Sequence, residues 1–193
     1  MSRRPLIGLA IIVGIGALIA GCAGTSSAPA MDVASGIDLQ RYSGRWYEIA
    51  RLPNDFQKQC AGNVSADYEP MEDGRLRVTN RCALADGSEQ SVEGVARMAD
   101  DDPAKLEVRF APSFMSWLPM VWGDYWILAV GPRYEYALVG EPSRANLWIL
   151  SRTPTISDEN YERLLKQAAK QGYDVTKVRR TPHDAMKTAA AGA

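Results

Sequence analysis

The stretch that decides the fold of this chain reads Gly44-Arg45-Trp46-Tyr47-Glu48-Ile49-Ala50, and it opens the globular part of the sequence. Aromatic and β-branched residues alternate here with charged ones, which is typical of a half-buried β-strand. Gly44 allows a sharp turn before the strand, and Trp46 brings a large apolar ring to one fixed place. On these residues alone the stretch is an ordinary first strand with a core tryptophan. Whether Trp46 has a further role depends on the segments that follow.

Seven more strand-like segments follow, each short and bounded by turn residues such as Glu72-Asp73-Gly74. Hydrophobic and polar residues alternate along several of them with period two, as in strands that bury one face. The predicted segments are 63–69, 76–81, 90–98, 106–110, 124–130, 134–139 and 146–151. Their regular spacing predicts antiparallel strands joined by turns.

One helix is predicted after the strands. Ser157 is a suitable N-cap and Gly172 a suitable terminator. An apolar stripe at helical spacing consists of Tyr161, Leu164, Leu165 and Ala168. We expect this stripe to pack on the outside of the sheet, and a further edge strand to follow at 175–178.

This order of elements predicts an all-β fold, an eight-stranded antiparallel up-and-down barrel with one C-terminal α-helix packed on its outside. Closing the sheet removes exposed edges and encloses space for one small ligand. A two-sheet sandwich is the alternative that the strand pattern leaves open. The net charge of −1 is well mixed along the chain and gives no electrostatic argument for nucleic-acid binding.

The N-terminus carries a leader. Ser2-Arg3-Arg4 is a positive region, residues 6–20 form an uncharged apolar run of fifteen, and Ile19-Ala20-Gly21-Cys22 places small residues before a cysteine. The leader resembles a bacterial lipoprotein signal, which implies that Cys22 is acylated and becomes the mature N-terminus. Ala23 after it implies the outer membrane, with a lipid anchor and the barrel facing the periplasm. An ordinary cleaved signal or a short transmembrane anchor are the alternatives.

The chain therefore divides into four predicted parts. Residues 1–21 are the signal peptide, and residues 22–36, small and polar, form a flexible tether. Residues 37–180 form the barrel domain. Residues 181–193 form a disordered tail, which holds the single histidine of the chain, His183.

Export also bears on the other two of the three cysteines. Cys60 and Cys82 make an even pair in an oxidising compartment, so a disulfide is expected, worth on the order of 3 kcal/mol in the chain-entropy model. Two free buried thiols are the alternative.

Two signatures now carry a family resemblance. Gly44-Arg45-Trp46-Tyr47-Glu48-Ile49-Ala50 and Leu147-Trp148-Ile149-Leu150-Ser151-Arg152-Thr153-Pro154 resemble the first and last signatures of the lipocalins. The match is closest to the bacterial outer-membrane lipocalin lipoproteins and to apolipoprotein D, and it covers residues 37–179. The middle signature of the family, Thr-Asp-Tyr, appears here as Pro132-Arg133-Tyr134, so the hydrogen bonds of that turn are open to question.

The resemblance implies that Trp46 closes the bottom of the barrel and that Arg152 lies across its indole. Because strands have period two, this register also predicts which residues face inward. Leu76 and Leu106 are among them. The inward residues predicted to contact ligand are Val64, Ala66, Tyr68, Val78, Asn80, Val108, Tyr125, Ile127, Trp148 and Leu150. The facing of strand 90–98 stays open because of a possible bulge at Gly94.

An apolar interior with a few polar groups suits a long hydrophobic ligand with one polar head. The resemblance implies noncatalytic binding of a fatty acid, a lysophospholipid or a similar lipid at the envelope, by a monomer or homodimer without a cofactor. We predict no catalytic residue and no metal ligand, since no Gly-x-Ser-x-Gly elbow and no Cys/His cluster occur.

Three alternatives are kept. The inward side chains fill a small core and bind nothing, or the interior binds haem or another tetrapyrrole. The third is a structural or docking lipoprotein that uses the segment 111–121, which is unusually apolar for an exposed connection through Phe114 and Trp117.

Overall fold

The computed structural model describes residues 30–111, 115 and 118–184. Its strands are β1 Gly44–Arg51, β2 Cys60–Pro70, β3 Leu76–Leu84, β4 Glu89–Met98, β5 Lys105–Arg109, β6 Gly123–Val130, β7 Tyr136–Gly140, β8 Leu147–Ser151 and β9 Arg179–Arg180. The helices are α1 Leu39–Tyr42 and α2 Asp158–Lys170, and 3₁₀ turns occur at Asp55–Gln57, Pro119–Val121 and Val175–Lys177.

Strands β1 to β8 pair in sequence order, and β1 closes the sheet by pairing with both β8 and β2. Its first half pairs with β2, from Gly44 opposite Tyr68 to Tyr47 opposite Ser65. Its second half pairs with β8, as far as Arg51 opposite Trp148. The predicted eight-stranded antiparallel barrel is confirmed, and the sandwich alternative is wrong.

The apolar side chains form two clusters on the two faces of the sheet. The interior cluster includes Trp46, Tyr68, Val78, Leu106 and Ile127, all buried. The outer cluster lies between the sheet and helix α2 and includes Leu128, Leu138, Ile149, Leu164 and Ala168. Consecutive residues of one strand, such as Ile127 and Leu128, thus belong to different clusters, as period two requires.

Helix α2 is the predicted outer helix. The Ser157 side chain accepts a hydrogen bond from the backbone N–H of Asn160, and Gly172 follows the helix with a φ of +88° that favours glycine. The helix buries Tyr161, Leu164 and Ala168 against the sheet. No helix in the described part of the chain is long and apolar enough to cross a bilayer.

The closed end of the barrel is built around Arg152, the residue after β8. Its guanidinium lies 3.8 Å from the centre of the Trp46 ring. The same group donates hydrogen bonds to the carbonyl oxygens of Arg45 at 2.8 Å, Arg41 at 2.7 Å, Tyr42 at 3.1 Å and Tyr134 at 3.2 Å. One side chain therefore ties together α1, β1 and the turn between β6 and β7.

The turn between β6 and β7 is closed without the usual middle signature. The backbone N–H of Tyr134 donates to the carbonyl oxygen of Gly131 at 2.8 Å, and the N–H of Arg133 donates to the Glu135 carboxylate at 2.9 Å. The Tyr134 hydroxyl accepts a hydrogen bond from the N–H of Asp38. The carboxylate of Glu135 thus supplies a side-chain acceptor within this turn.

Residues 31–34 correct the predicted tether. The side chain of Gln171 hydrogen-bonds to the N–H and the carbonyl of Asp32 at 3.1 and 2.8 Å, and the N–H of Ala34 donates to Ile127 at 2.9 Å. Met31 and Val33 pack against the apolar clusters. The tether prediction is wrong for residues 31–34, because Met31 and Val33 pack against buried apolar side chains. Residues 22–29 of the predicted tether lie outside the described residues.

The C-terminal segment corrects two further predictions. Residues 175–177 form a 3₁₀ turn in place of an edge strand, and β9 pairs with β1 after it. Thr181 and His183 are buried, so residues 181–184 are not a disordered tail. The N–H of Thr181 donates to Ile49 on β1, and the N–H of Asn63 on β2 donates to Pro182. The segment fills the seam where β1 and β2 no longer pair, a gap that no sequence pattern reveals.

Cys60 and Cys82 form a disulfide with their Cα atoms 5.5 Å apart, so the expected bridge is confirmed. It links the first residue of β2 to β3 near the open end of the barrel. The bridge therefore fixes to β3 the part of β2 that no longer pairs with β1.

Replacing Arg152 with Lys is predicted to lower the free energy of unfolding by about 2 to 4 kcal/mol, because one ammonium cannot reach four carbonyls and cover a ring. The matched control is Arg45→Lys, whose exposed pair with Asp67 contributes at most about 1 kcal/mol. Urea unfolding of both variants measures the difference. Equal losses in the two variants would show that the closure does not depend on Arg152.

Candidate functional site

The open end of the barrel lies opposite Arg152. Four connections meet there, the loops 52–59, 85–88, 110–122 and 141–146. The other end is closed by α1 and Arg152. A ligand in the interior therefore has one entrance, and the candidate site extends from this mouth to Trp46.

The structure brings most of the predicted contact residues together in the interior. Buried members of the interior cluster are Tyr68, Val78, Tyr125, Ile127 and Leu150, with Leu76 and Leu106 beside them. Half-buried side chains that pack against this cluster are Ala66, Val108 and Trp148. Val64 is buried near the mouth end of β2, and Asn80 is half-buried on β3. Neither belongs to either apolar cluster.

Strand β4 supplies lining residues that the sequence left open. Its pairing with β3 is unbroken, with Leu76 opposite Ala96, Val78 opposite Gly94 and Asn80 opposite Val92, so no bulge occurs at Gly94. Because opposite residues share a face, Ala96, Gly94 and Val92 all face inward. Ala96 is fully buried in the interior cluster.

Phe110 is a lining residue that sequence analysis missed. A Cβ atom built on Gly94 would lie 2.6 Å from Cδ1 of Phe110, so the ring covers the inner face of this glycine. Only glycine leaves room for the ring here. The signal was available, because Leu106, Val108 and Phe110 alternate along one strand.

Three tyrosine hydroxyls meet in the interior. The Tyr125 hydroxyl lies 2.8 Å from that of Tyr42, and it accepts a hydrogen bond from Tyr68 at 2.8 Å. Burial raises the pKa of Tyr68 to about 12, and it raises the pKa of Tyr42 and of Tyr125 well above the usual value. All three are therefore neutral hydrogen-bonding groups. Tyr42 was not among the predicted site residues, since its position depends on the short helix α1.

A polar network closes over one side of the mouth. The indole Nε1 of Trp148 donates to the side-chain oxygen of Gln57 at 3.1 Å, and the Gln57 amide donates to the buried Glu48 carboxylate at 2.8 Å. Glu48 also pairs with Arg51 and accepts from Thr181. Sequence analysis missed Gln57 and the buried Glu48, because both depend on how the 52–59 loop and the C-terminal segment fold.

Aromatic rings form a continuous column from the closed end to the mouth. Successive ring centres are 5.0 Å apart for Trp46 and Tyr42, 5.6 Å for Tyr42 and Tyr68, and 6.0 Å for Tyr68 and Tyr125. The column continues at 6.5 Å from Tyr125 to Trp148 and at 6.2 Å from Trp148 to Phe56. The buried Glu48 carboxylate, on the residue opposite Leu150, is a charged group of the inner wall, and it is paired with Arg51. Such a wall can hold an elongated apolar molecule and offer it neutral hydrogen bonds.

Arg97 and Arg109 lie on the outer face of strands β4 and β5, because their neighbours Ala96 and Val108 face inward. Arg97 donates twice to Glu107 at 3.0 and 2.8 Å and stacks 3.9 Å from the centre of the Trp122 ring. Arg109 lies 5.2 Å from the same ring centre and donates to the carbonyl of Ala111. Neither is directed at the barrel interior. Cys22, Phe114 and Trp117 lie outside the described residues.

Comparison with known proteins agrees with this geometry. The family model described as a lipocalin-like domain matches residues 37–183. The chain is 43% identical over 155 residues to temperature-induced lipocalin-1 of Arabidopsis thaliana, covering 79% of this chain and 82% of that protein. It is 38% identical over 162 residues to the outer membrane lipoprotein Blc of Escherichia coli K12, covering 83% of this chain and 87% of the relative.

Solved structures show the same fold at lower sequence identity. Insecticyanin from the tobacco hornworm Manduca sexta superposes with a TM-score of 0.63 and 22% identity, covering 81% of this chain and 86% of that one. The resemblance to bacterial outer-membrane lipocalin lipoproteins and to apolipoprotein D is confirmed. With its closed eight-stranded barrel, its outer helix and a family match across the whole barrel, the chain belongs to the lipocalin family.

Proposed function

We propose that this lipocalin is a noncatalytic lipid-binding lipoprotein of the bacterial envelope, which holds or transports a fatty acid, a lysophospholipid or a similar hydrophobic ligand. The observation that carries the proposal is the uncharged aromatic column between Trp46 and the mouth. Family membership supports the coarser statement that the ligand is small and hydrophobic. Lipocalins are generally carriers, and the proposal assigns no catalytic residue.

Exposed apolar side chains at the mouth support a hydrophobic entrance. Val92 and Phe110 belong to the inner wall and are 42% and 40% exposed, and Phe56 beside Trp148 is 60% exposed. Exposed apolar groups at the rim of a concave site are typical of a surface that meets apolar ligands. A lipid entering here would cover all three.

The envelope location is supported by the leader and by one relative. Residues 1–22 have the organisation of a lipoprotein signal, and the similar protein of Escherichia coli is named an outer membrane lipoprotein. An acylated Cys22 followed by a tether would place the barrel at the periplasmic surface of the outer membrane. Since the Arabidopsis relative is a plant protein, membership of the family alone does not imply this location.

Two other binding roles have less support. A docking role for the segment 111–121 is favoured by Met120, which is 86% exposed. Haem binding lacks its usual ligand, because Nε2 of His183 lies 2.8 Å from the carbonyl oxygen of Glu48, in the seam between β1 and β2.

Replacing Val92 with Trp is predicted to weaken oleate binding at least about tenfold, because the ring would occupy the mouth. The matched control is Glu93→Trp, the next residue of β4, which is exposed on the outer face and should change affinity less than about twofold. Equilibrium dialysis with radiolabelled oleate measures both. If neither protein nor the wild type binds oleate saturably, the side chains only fill a core and the lipid-binding proposal fails.

Full-length chain produced in bacteria is predicted to incorporate radiolabelled palmitate and to fractionate with the outer membrane, because Cys22 would be acylated. The variant Cys22→Ser should lose the label and leave the membrane fraction. Cys60 and Cys82 serve as internal controls, since their disulfide leaves no thiol to acylate. Label retained by Cys22→Ser would place the lipid elsewhere and contradict the lipoprotein assignment.

A further inference from the structure

The three interior tyrosines have one more proton than they use. Each phenol carries one O–H donor, and two hydrogen bonds join the three hydroxyls of Tyr42, Tyr68 and Tyr125. These hydroxyls make no other hydrogen bond within the described residues. Whichever way the bonds run, one O–H donor remains for a partner that the protein does not supply.

Arg152 is the charged group that acts on these phenols. It lowers the pKa of Tyr42, but this effect is smaller than the rise caused by burial. Its guanidinium lies over Trp46 and donates its hydrogen bonds to four backbone carbonyls. An ionised carboxylate placed here would lose its water without gaining a hydrogen bond from a cation, which costs several kcal/mol. A neutral acceptor loses much less on burial and gains the hydrogen bond.

A second neutral group lies one layer nearer the mouth. Asn80 is two residues beyond Val78, which is opposite Tyr68, so it lies about 7 Å farther along the wall. Its half-buried amide makes no side-chain hydrogen bond within the described part of the chain. The wall therefore presents a donor at its deep end and a donor and acceptor above it.

We propose that the hydroxyl cluster of Tyr42, Tyr68 and Tyr125 is a recognition site for an uncharged hydrogen-bond acceptor of the ligand, such as the carbonyl of a ketone or ester. A lipid with this group would enter it first and leave its chain toward Trp148 and the mouth. An ionised fatty acid would bind in the opposite direction, with its carboxylate in water. This inference rests on the proposed lipid-binding function and specifies the polar group that the deep end selects.

The test compares 2-tridecanone, tridecane and dodecanoate, each displacing the uncharged fluorescent probe N-phenyl-1-naphthylamine from the protein. In the wild type the ketone should bind about fivefold more tightly than the alkane, the effect of one hydrogen bond. The triple variant Tyr42→Phe, Tyr68→Phe, Tyr125→Phe should remove this preference, so that the ketone and the alkane displace the probe with equal affinity. The control Tyr136→Phe, a buried tyrosine of the outer cluster, should keep the preference.

The outcomes separate this inference from the proposed function. A ketone preference that persists in the triple variant, or is absent from the wild type, overturns the tyrosine site while lipid binding stands. If none of the three compounds displaces the probe, lipid binding itself fails. Alkane binding by the triple variant shows that it is folded. Should it not fold, the ¹³C carbonyl shift of bound 2-tridecanone in the wild type decides, because a hydrogen-bonded ketone is shifted downfield and a ketone in an apolar site is not.

Discussion

The architecture depends on the contact between Arg152 and Trp46. A guanidinium 3.8 Å from the indole centre, with hydrogen bonds to four carbonyls, joins the end of β8 to α1, to β1 and to the turn before β7. A cation over an indole contributes about 1 to 2 kcal/mol when partly buried, and charge-assisted hydrogen bonds to carbonyls are stronger than neutral ones. The same contact closes one end of the barrel and fixes the register of the strands beside it.

Closure at one end determines what the other end can do. The aromatic column begins at Trp46 and leads through the hydroxyl cluster to Trp148, where Gln57 and the buried Glu48 form the rim. At the rim β1 and β2 separate, and the C-terminal segment takes the place of their missing hydrogen bonds. The deep part of the interior is thus lined by neutral aromatic and apolar side chains, and the buried Glu48 carboxylate is paired with Arg51 toward the mouth.

Much of the fold follows from the sequence because period two and one fixed contact determine the facing of most strands. Once Trp46 and Arg152 are placed in contact, Tyr68, Val78 and Tyr125 have to face inward, and the structure places them there. The rest of the fold depends on tertiary contacts between segments far apart in the chain, which no local sequence pattern predicts. Residues 31–34 and 181–184 look like linkers, yet they are ordered because a cluster and a seam offer them partners. The inward facing of Phe110 could have been predicted from its alternation with Leu106 and Val108. The positions of Tyr42 and Gln57 could not, because they depend on how α1 and the 52–59 loop fold.

The proposed function depends on lipid binding in the barrel interior. Native mass spectrometry of the chain that begins at residue 23, purified from cells without detergent or added lipid, detects such binding without a probe. We expect a complex heavier than the chain by one fatty acid, lysophospholipid or similar lipid, released by organic solvent. A protein of bare chain mass that also shows no saturable quenching of its tryptophan fluorescence by oleate would contradict it.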